Sequence, residues 1–244
     1  MKLDNHFSII ITSYNCEKWV EKNVSSVLEQ TYQNYQVYYI DDNSSDDTTK
    51  RVLSFESDKI TTINNYFSKG KMQNLVEVNK LLDDDTIAVI LDGDDWLYNN
   101  DVLDCLNEVY QNKDIWMTNG SYIIEPTGQV IKPQINDQYW SNNIRKKSWE
   151  FSHLGTFKKK LFDKVKKKHF MSPIGQYWAT TSDQAIMWPM AEMSGPQNHK
   201  VINEILYSYN RLNPLSDDRM NRQDQLLTET LIRKIKPYEK INQI

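Results

Sequence analysis

Cysteine is nearly absent, with only Cys16 and Cys105 in 244 residues. Two such residues supply neither a disulfide framework nor a zinc site, and they point to a reducing compartment. Nor does any run approach the ~20 apolar residues that cross a bilayer, and Met1-Lys-Leu-Asp-Asn-His-Phe-Ser8 has no apolar stretch of the signal-peptide kind. The expectation is a soluble, cytoplasmic protein without an integral membrane segment. An excess of positive charge is missing as well. The 29 Lys and Arg against 33 Asp and Glu leave a net charge of −4, so no global basic field recommends nucleic acid as a partner. The basic stretches at Lys158-Lys159-Lys160 and Lys164 to Lys168 read as solvated helix faces. With 39% hydrophobic and 25% charged residues, the composition is that of a globular chain long enough to bury a substantial core.

The first half alternates short β-rich runs with helical spacing, the pattern of βα units on a mainly parallel sheet. Strands are predicted at Phe7–Thr12, Tyr35–Ile40, Ile60–Ile63 and Thr86–Leu91. Helices are predicted at about Lys18 to Gln30, from a Ser44/Asp47 capping box to Phe55, and at Lys71 to Leu82. Beyond these come a helix at about Asp101 to Tyr110, a strand at Ile115 to Thr118 and a hairpin over Tyr122–Ile131 turning at Pro126-Thr127-Gly128. Lys132 to Phe151 reads as a loop on the acceptor side. A helix from Ser182-Asp183 is expected to be kinked or split by Pro189. A C-terminal helical segment, Ser216 to Lys236, packs across the rest.

The richest chemistry lies at Asp92-Gly93-Asp94-Asp95-Trp96. Three carboxylates within four residues follow an apolar strand, which delivers them to its C-terminal end, where open α/β sheets bind ligands. Like charges this close repel unless a cation sits among them, and hard oxygen ligands suit Mg²⁺ or Mn²⁺. The bland alternative is an acidic turn that caps a following helix. Tyr14, after the first strand, offers a ring face for a base, and Asp42, after the second, offers an acceptor for an imide N–H such as that of uracil. Tyr14 as a core aromatic and Asp41-Asp42 as helix caps are the competing readings.

Together, Ile10-Ile11-Thr12-Ser13-Tyr14-Asn15, Gln30-Thr31-Tyr32, Tyr39 to Thr48 and Leu91 to Leu97 resemble, in order and separation, the signature of family 2 glycosyltransferases. The resemblance covers about the first hundred residues. It implies an α/β chain with the GT-A (Rossmann-like) fold, a single domain whose mainly parallel mixed central sheet is flanked by helices. Its nucleotide-binding half would run to about residue 100 and its acceptor-binding half from about 101 to 244. The implied reaction is inverting, metal-dependent transfer of a sugar from a nucleoside diphosphate donor, UDP-linked by preference, to a hydroxyl of a glycan, lipid or protein. Thr12 and Tyr14 would line the nucleobase pocket, with Asp42 and Asp92 contacting the nucleotide and Asp94 and Asp95 holding Mn²⁺ or Mg²⁺.

An inverting displacement also needs a base on the face opposite the leaving group. By the same resemblance, Asp183 in Thr181-Ser182-Asp183-Gln184 is the candidate, with Glu192 in reserve. An ordinary N-cap role for Asp183 stays open. Asn79 matches a family helix loosely, but the arginine expected there for the diphosphate is missing, leaving Lys69 or Lys71 as substitutes. His153, His169 and His199 show no metal-ligand spacing and read as surface or core histidines. Trp140, Trp149, Tyr177, Trp178 and Trp188 are either sugar platforms or core.

Overall fold

The computed structural model describes residues 2–244, apart from the side chains of Asp217 and Asp218. Its first half is built of strands β1 (Phe7–Ser13), β2 (Tyr35–Asp41), β3 (Ile60–Asn64) and β4 (Ile87–Asp92), separated by helices α1 (Val20–Leu28), α2 (Thr48–Leu53) and α3 (Lys71–Asn79). All four strands are parallel, in the order β3-β2-β1-β4. The chain adds strands on one side of β1 and then crosses to the other for β4. The gap between the C-terminal ends of β1 and β4 is therefore a topological switch point, the place where a parallel sheet opens a crevice.

Both faces of β1 and β4 are covered, which is why they read as largely apolar runs, whereas the edge strand β3 is only half-buried. Ile9 and Ile11 of β1 pack with Val37, Val89 and the helices α1 and α4 (Val102–Val109), while Ile10 faces Met72, Leu75 and Ala88 on the opposite side. The alternation follows from the two-residue period of an extended chain.

The second half completes the same nine-stranded sheet. Strand β5 (Trp96–Leu97) follows the acidic turn, β6 (Met117–Glu125) and β7 (Gln129–Ile131) form the expected hairpin, and short helix α5 (Asp137–Trp140) follows. Next come β8 (Thr156–Lys158), α6 (Lys159–Phe162), α7 (Ser182–Ser194), β9 (His199–Asn210), α8 (Asp217–Met220) and α9 (Arg222–Lys234). Strand β8 runs antiparallel to both β4 and β6 and joins the two halves, while β9 lies between β6 and β5.

Several expectations change. The Ser44/Asp47 capping box does not form: Ser44 Oγ bonds the Asp41 carboxylate, and α2 begins after Asp47 without a side-chain cap. Pro189 leaves α7 continuous over 13 residues. The segment from 132 to 151 is not an open loop beside the cavity described below. Tyr139, Ile144 and Phe151 are buried in the core, and Arg145 is locked to Glu192 at 2.5 and 2.8 Å. The C-terminal segment is two helices, and Ile232 is the buried residue of α9.

Candidate active site

The carboxylate turn is shaped by the end of β1. Thr12 is in register with Asp92, and the Gly93 N–H donates to the Thr12 carbonyl at 2.9 Å. A side chain at 93 would run into the Cβ of Ser13, so the close approach of the two strand ends requires glycine there. From α1, the buried Asn23 amide donates to the carbonyls of Asp92 (2.9 Å) and Asp95 (2.7 Å). The turn is thus fixed from both sides before any ligand arrives.

Its three carboxylates differ in environment. Burial alone would raise the Asp92 pKa, but the Lys71 ammonium, paired to it from the start of α3, holds it below the usual value. Asp94 is pushed up to about 6 by burial and by the charge of Asp92, while its Oδ2 accepts from Asn213 Nδ2 at 2.8 Å. Asp95 is 1% exposed, and both its oxygens are engaged: the Tyr207 hydroxyl donates at 2.5 Å and the Asn210 N–H at 2.6 Å. Burial and its two acidic neighbours raise its pKa well above the usual value. Trp96 and Leu97 do not start a helix but pair with Ser208 and Tyr207 of β9.

A cavity of about 460 Å³ opens over this turn and gathers Thr12, Tyr14, Asp42, Asp92, Asp94, Asp95 and Asp183. Tyr14 is 52% exposed, so its ring is available for stacking rather than committed to the core. Asp42 is buried and accepts from Asn65 Nδ2 (2.8 Å), Ser68 Oγ (2.7 Å) and the N–H groups of Lys69 (2.9 Å) and Gly70 (2.8 Å). Burial would raise its pKa, yet these donors keep it below the usual value. Four donors fill the lone-pair sites of a carboxylate. Asp42 therefore pins the 65–70 loop as a wall of the cavity, and any further N–H donor would have to displace one of these four to reach it.

Asp183 stands on another wall. Thr181 turns through the left-handed region at φ 60° and sets Ser182 and Asp183 at the start of α7. Burial raises the Asp183 pKa, and Lys71 opposes that shift. Glu192 lies on the same helix but does not line the cavity: besides Arg145, its carboxylate accepts from the Tyr238 N–H at 3.0 Å. Asn79 also faces elsewhere, donating to Asp163 at 2.8 Å, and Lys69 is spent on Glu77 at 2.8 Å. Trp140, Trp149, Tyr177, Trp178 and Trp188 belong to the core or pack against it, and none lines the cavity.

The family model described as Glycosyl transferase family 2 matches residues 8–177. The chain belongs to glycosyl transferase family 2. Curated relatives include the Escherichia coli proteins WfgD and WfaP, both named UDP-Glc:alpha-D-GlcNAc-diphosphoundecaprenol beta-1,3-glucosyltransferase. WfgD is 37% identical over 92 residues, or 38% of this chain and 36% of the relative. WfaP is 40% identical over 63 residues, or 26% and 25%. The matched stretches thus span about a third of those relatives or less. Among solved structures, S. aureus TarS 1-349 in complex with UDP-GlcNAc matches at TM-score 0.67 and 15% identity, covering 85% of this chain and 59% of that one. Glucosyl-3-phosphoglycerate synthase from Mycobacterium tuberculosis, in complex with Mn²⁺, UDP and glucosyl-3-phosphoglycerate, matches at TM-score 0.63 and 14% identity, covering 96% and 81%. At such identities the likeness establishes the fold, and it is the GT-A fold.

In this family 2 chain the cavity also holds residues with no legible signal in the sequence. His153, read above as a surface or core histidine, lines it with its ring stacked on Tyr207 (4.4 Å, 11°) and Tyr209 (5.2 Å, 20°). Burial lowers its pKa to about 4, so it is a neutral imidazole at physiological pH. Asn213 and Arg222 reach the cavity from the C-terminal part, where a single sequence offers no motif to mark them. The clue that existed was spacing: Tyr207-Ser-Tyr209 places two aromatic rings on one face of a strand.

Proposed function

We propose that the chain transfers a sugar, with inversion, from a nucleoside diphosphate donor to a hydroxyl of a glycan, lipid or protein, using Mn²⁺ or Mg²⁺. The carrying observation is the convergence in one cavity of Tyr14, Asp42, Asp92 and Asp94 from the ends of β1, β2 and β4 with Asp183 from α7. A UDP-linked donor is favoured because WfgD and WfaP are named for UDP-Glc and TarS is bound to UDP-GlcNAc. The names of WfgD and WfaP give a lipid-linked acceptor sugar, which supports that class of hydroxyl here.

The site fits a divalent cation of the hard, oxygen-preferring kind. Three carboxylates of the turn, Asp92, Asp94 and Asp95, line the cavity as oxygen donors, and burial with the charge of Asp92 raises the Asp94 pKa, a cost that a cation would relieve. Mg²⁺-type ions are commonly held by one or two carboxylates, with substrate phosphates completing the shell. Glucosyl-3-phosphoglycerate synthase and a Pyrobaculum calidifontis mannosyltransferase carry Mn²⁺ with their nucleotides, which favours that metal. Asp94 is assigned to the cation and Asp92 to the nucleotide. Asp95 accepts one hydrogen bond on each oxygen, from Tyr207 and Asn210, which fixes the turn and leaves it lone-pair sites as the second ligand of the cation. When bound, the metal supplies Lewis-acid stabilisation of the departing diphosphate.

The chain's own groups do the rest. Tyr14 stacks the base, and the 65–70 loop pinned by Asp42 closes the base pocket. Asp183 accepts the proton of the attacking hydroxyl on the face away from the diphosphate. The residues to about 100 hold the nucleotide and the remainder the acceptor, within one catalytic domain. Because its carboxyl titrates above the ordinary Asp range, turnover should fall as acidification protonates Asp183. Asp183→Asn is expected to lower kcat by ~10²–10⁴ while UDP affinity stays unchanged. Wild-type turnover in that variant, measured as UDP release from UDP-sugars, would remove Asp183 from this role.

A further inference from the structure

We infer that Arg222, at the start of α9, is the cationic contact for the diphosphate of the donor. This rests on the nucleotide-sugar reading above. The cavity wall carries six acidic side chains, Asp42, Asp92, Asp94, Asp95, Asp183 and Glu229, against Lys71 and Arg222. A diphosphate entering so acidic a space needs positive charge from the protein as well as from a cation. Lys71 is paired to Asp92, and Lys69, the other substitute suggested by the sequence, is held by Glu77 and does not line the cavity. The Arg222 guanidinium has no hydrogen bond or ion pair among the described residues, although six acids line the same cavity.

Its placement is built rather than incidental. The 211–221 segment is tied to the carboxylate turn at its near end, where the Asn213 amide donates to Asp94 at 2.8 Å. At the far end α9 is anchored by Ile232, which is 1% exposed, and by Arg233, which pairs with Glu229 at 2.6 Å and donates to the Lys147 carbonyl at 2.8 Å. The first turn of α9 touches the α7 start more lightly, through Thr181 Oγ1 and the Gln225 carbonyl at 3.4 Å. Arg222 is thereby carried on an exposed turn that borders the donor space and the Asp183 wall alike.

When the bond between the anomeric carbon and the β-phosphate oxygen breaks, its electron pair stays on that oxygen as the acceptor oxygen bonds the carbon. A guanidinium meets phosphate oxygens through two parallel N–H bonds, a geometry an ammonium does not reproduce. The test is calorimetry with Mn²⁺ and, in turn, UDP and uridine, on the wild type, Arg222→Ala and Arg222→Lys. The expected result is a ~10- to 100-fold loss of UDP affinity in Arg222→Ala, partial recovery in Arg222→Lys, and unchanged uridine affinity in both. UDP affinity within twofold of wild type in Arg222→Ala would overturn the assignment. So would an equal loss for uridine, which would mark a structural effect on the base pocket. A wild type that binds no nucleoside diphosphate would instead overturn the nucleotide-sugar reading, and this inference with it.

Discussion

Asp94 shows how one buried carboxylate couples charge, stability and ligand. Its pKa is about 6 in the fold against an ordinary value of 3.8, so the folded chain binds this proton more tightly than the unfolded one. A folded-state pKa above the unfolded value means that metal-free stability is greatest at low pH and is lost as pH rises from about 4 to about 6. Above that window the unrelieved charge remains as a cost. Asp94→Asn should therefore raise the melting temperature of the metal-free protein at pH 7 by ~2–4 °C, the usual response to about 1 kcal/mol in a chain of this size. The same substitution should abolish the stabilisation that Mn²⁺ gives the wild type. A variant that melts lower at pH 7 would overturn the charge cost, and one that still responds to Mn²⁺ would remove Asp94 as the metal ligand. That a residue which costs the apo protein stability is one assigned to the cation agrees with the tension between stability and function at active sites.

At the scale of elements, β9 decides the shape of the site. It supplies Tyr207 and Asn210, which hold Asp95, and Tyr209, which flanks His153. Tyr207→Phe keeps the ring but leaves a buried carboxylate short of one donor, which should cost about 1–3 kcal/mol of stability. Activity should fall with it, since Asp95 orients the turn that carries Asp94. Chemical denaturation and UDP-sugar hydrolysis measured on the same preparation check both effects, and an unchanged midpoint with unchanged turnover would make the Tyr207–Asp95 bond irrelevant. This strand was also the least legible in the sequence. β1 and β4 announce themselves because burial on both faces makes them largely apolar, and β2 does so by its run Val37-Tyr38-Tyr39-Ile40. His199–Asn210 interleaves Lys200, Asn203 and Glu204 with Ile and Tyr, and it pairs with β6 through register shifts near Gly120 and Ser121, so no clean two-residue period survives. β5 and β8 have two and three residues, too short for periodicity to register. The site divides in the same way. The residues at the ends of β1, β2 and β4 were legible from motif order, and Asp183 was named only by a looser match to the family in the second half, with an N-cap role left open. His153, Asn213 and Arg222 were not legible, because their place in the cavity is set by packing between distant elements.

For the whole molecule, the cavity is an interface between the two parts of the chain. β1, β2 and β4 give Thr12, Asp42 and Asp94, while α7, the 211–221 segment and α9 give Asp183, Asn213 and Arg222, and β8 stitches the two sets into one sheet. A ligand that touches both sets stabilises the folded state as a unit. At a concentration 100 times its dissociation constant, a ligand of the native state adds about 2.7 kcal/mol, which for a chain of this size is a melting shift of roughly 5–10 °C. UDP with Mn²⁺ should produce such a shift. On the proposed sharing of a cation between Asp94 and the diphosphate, chelation by EDTA should remove most of it. Uridine should give a smaller shift that EDTA leaves alone, since base stacking on Tyr14 needs no metal. Thermal unfolding with these four combinations separates the outcomes. A UDP shift indifferent to EDTA would place the diphosphate without a cation and undo the role of the carboxylate turn. No shift with any nucleotide would detach the cavity from nucleotide binding altogether.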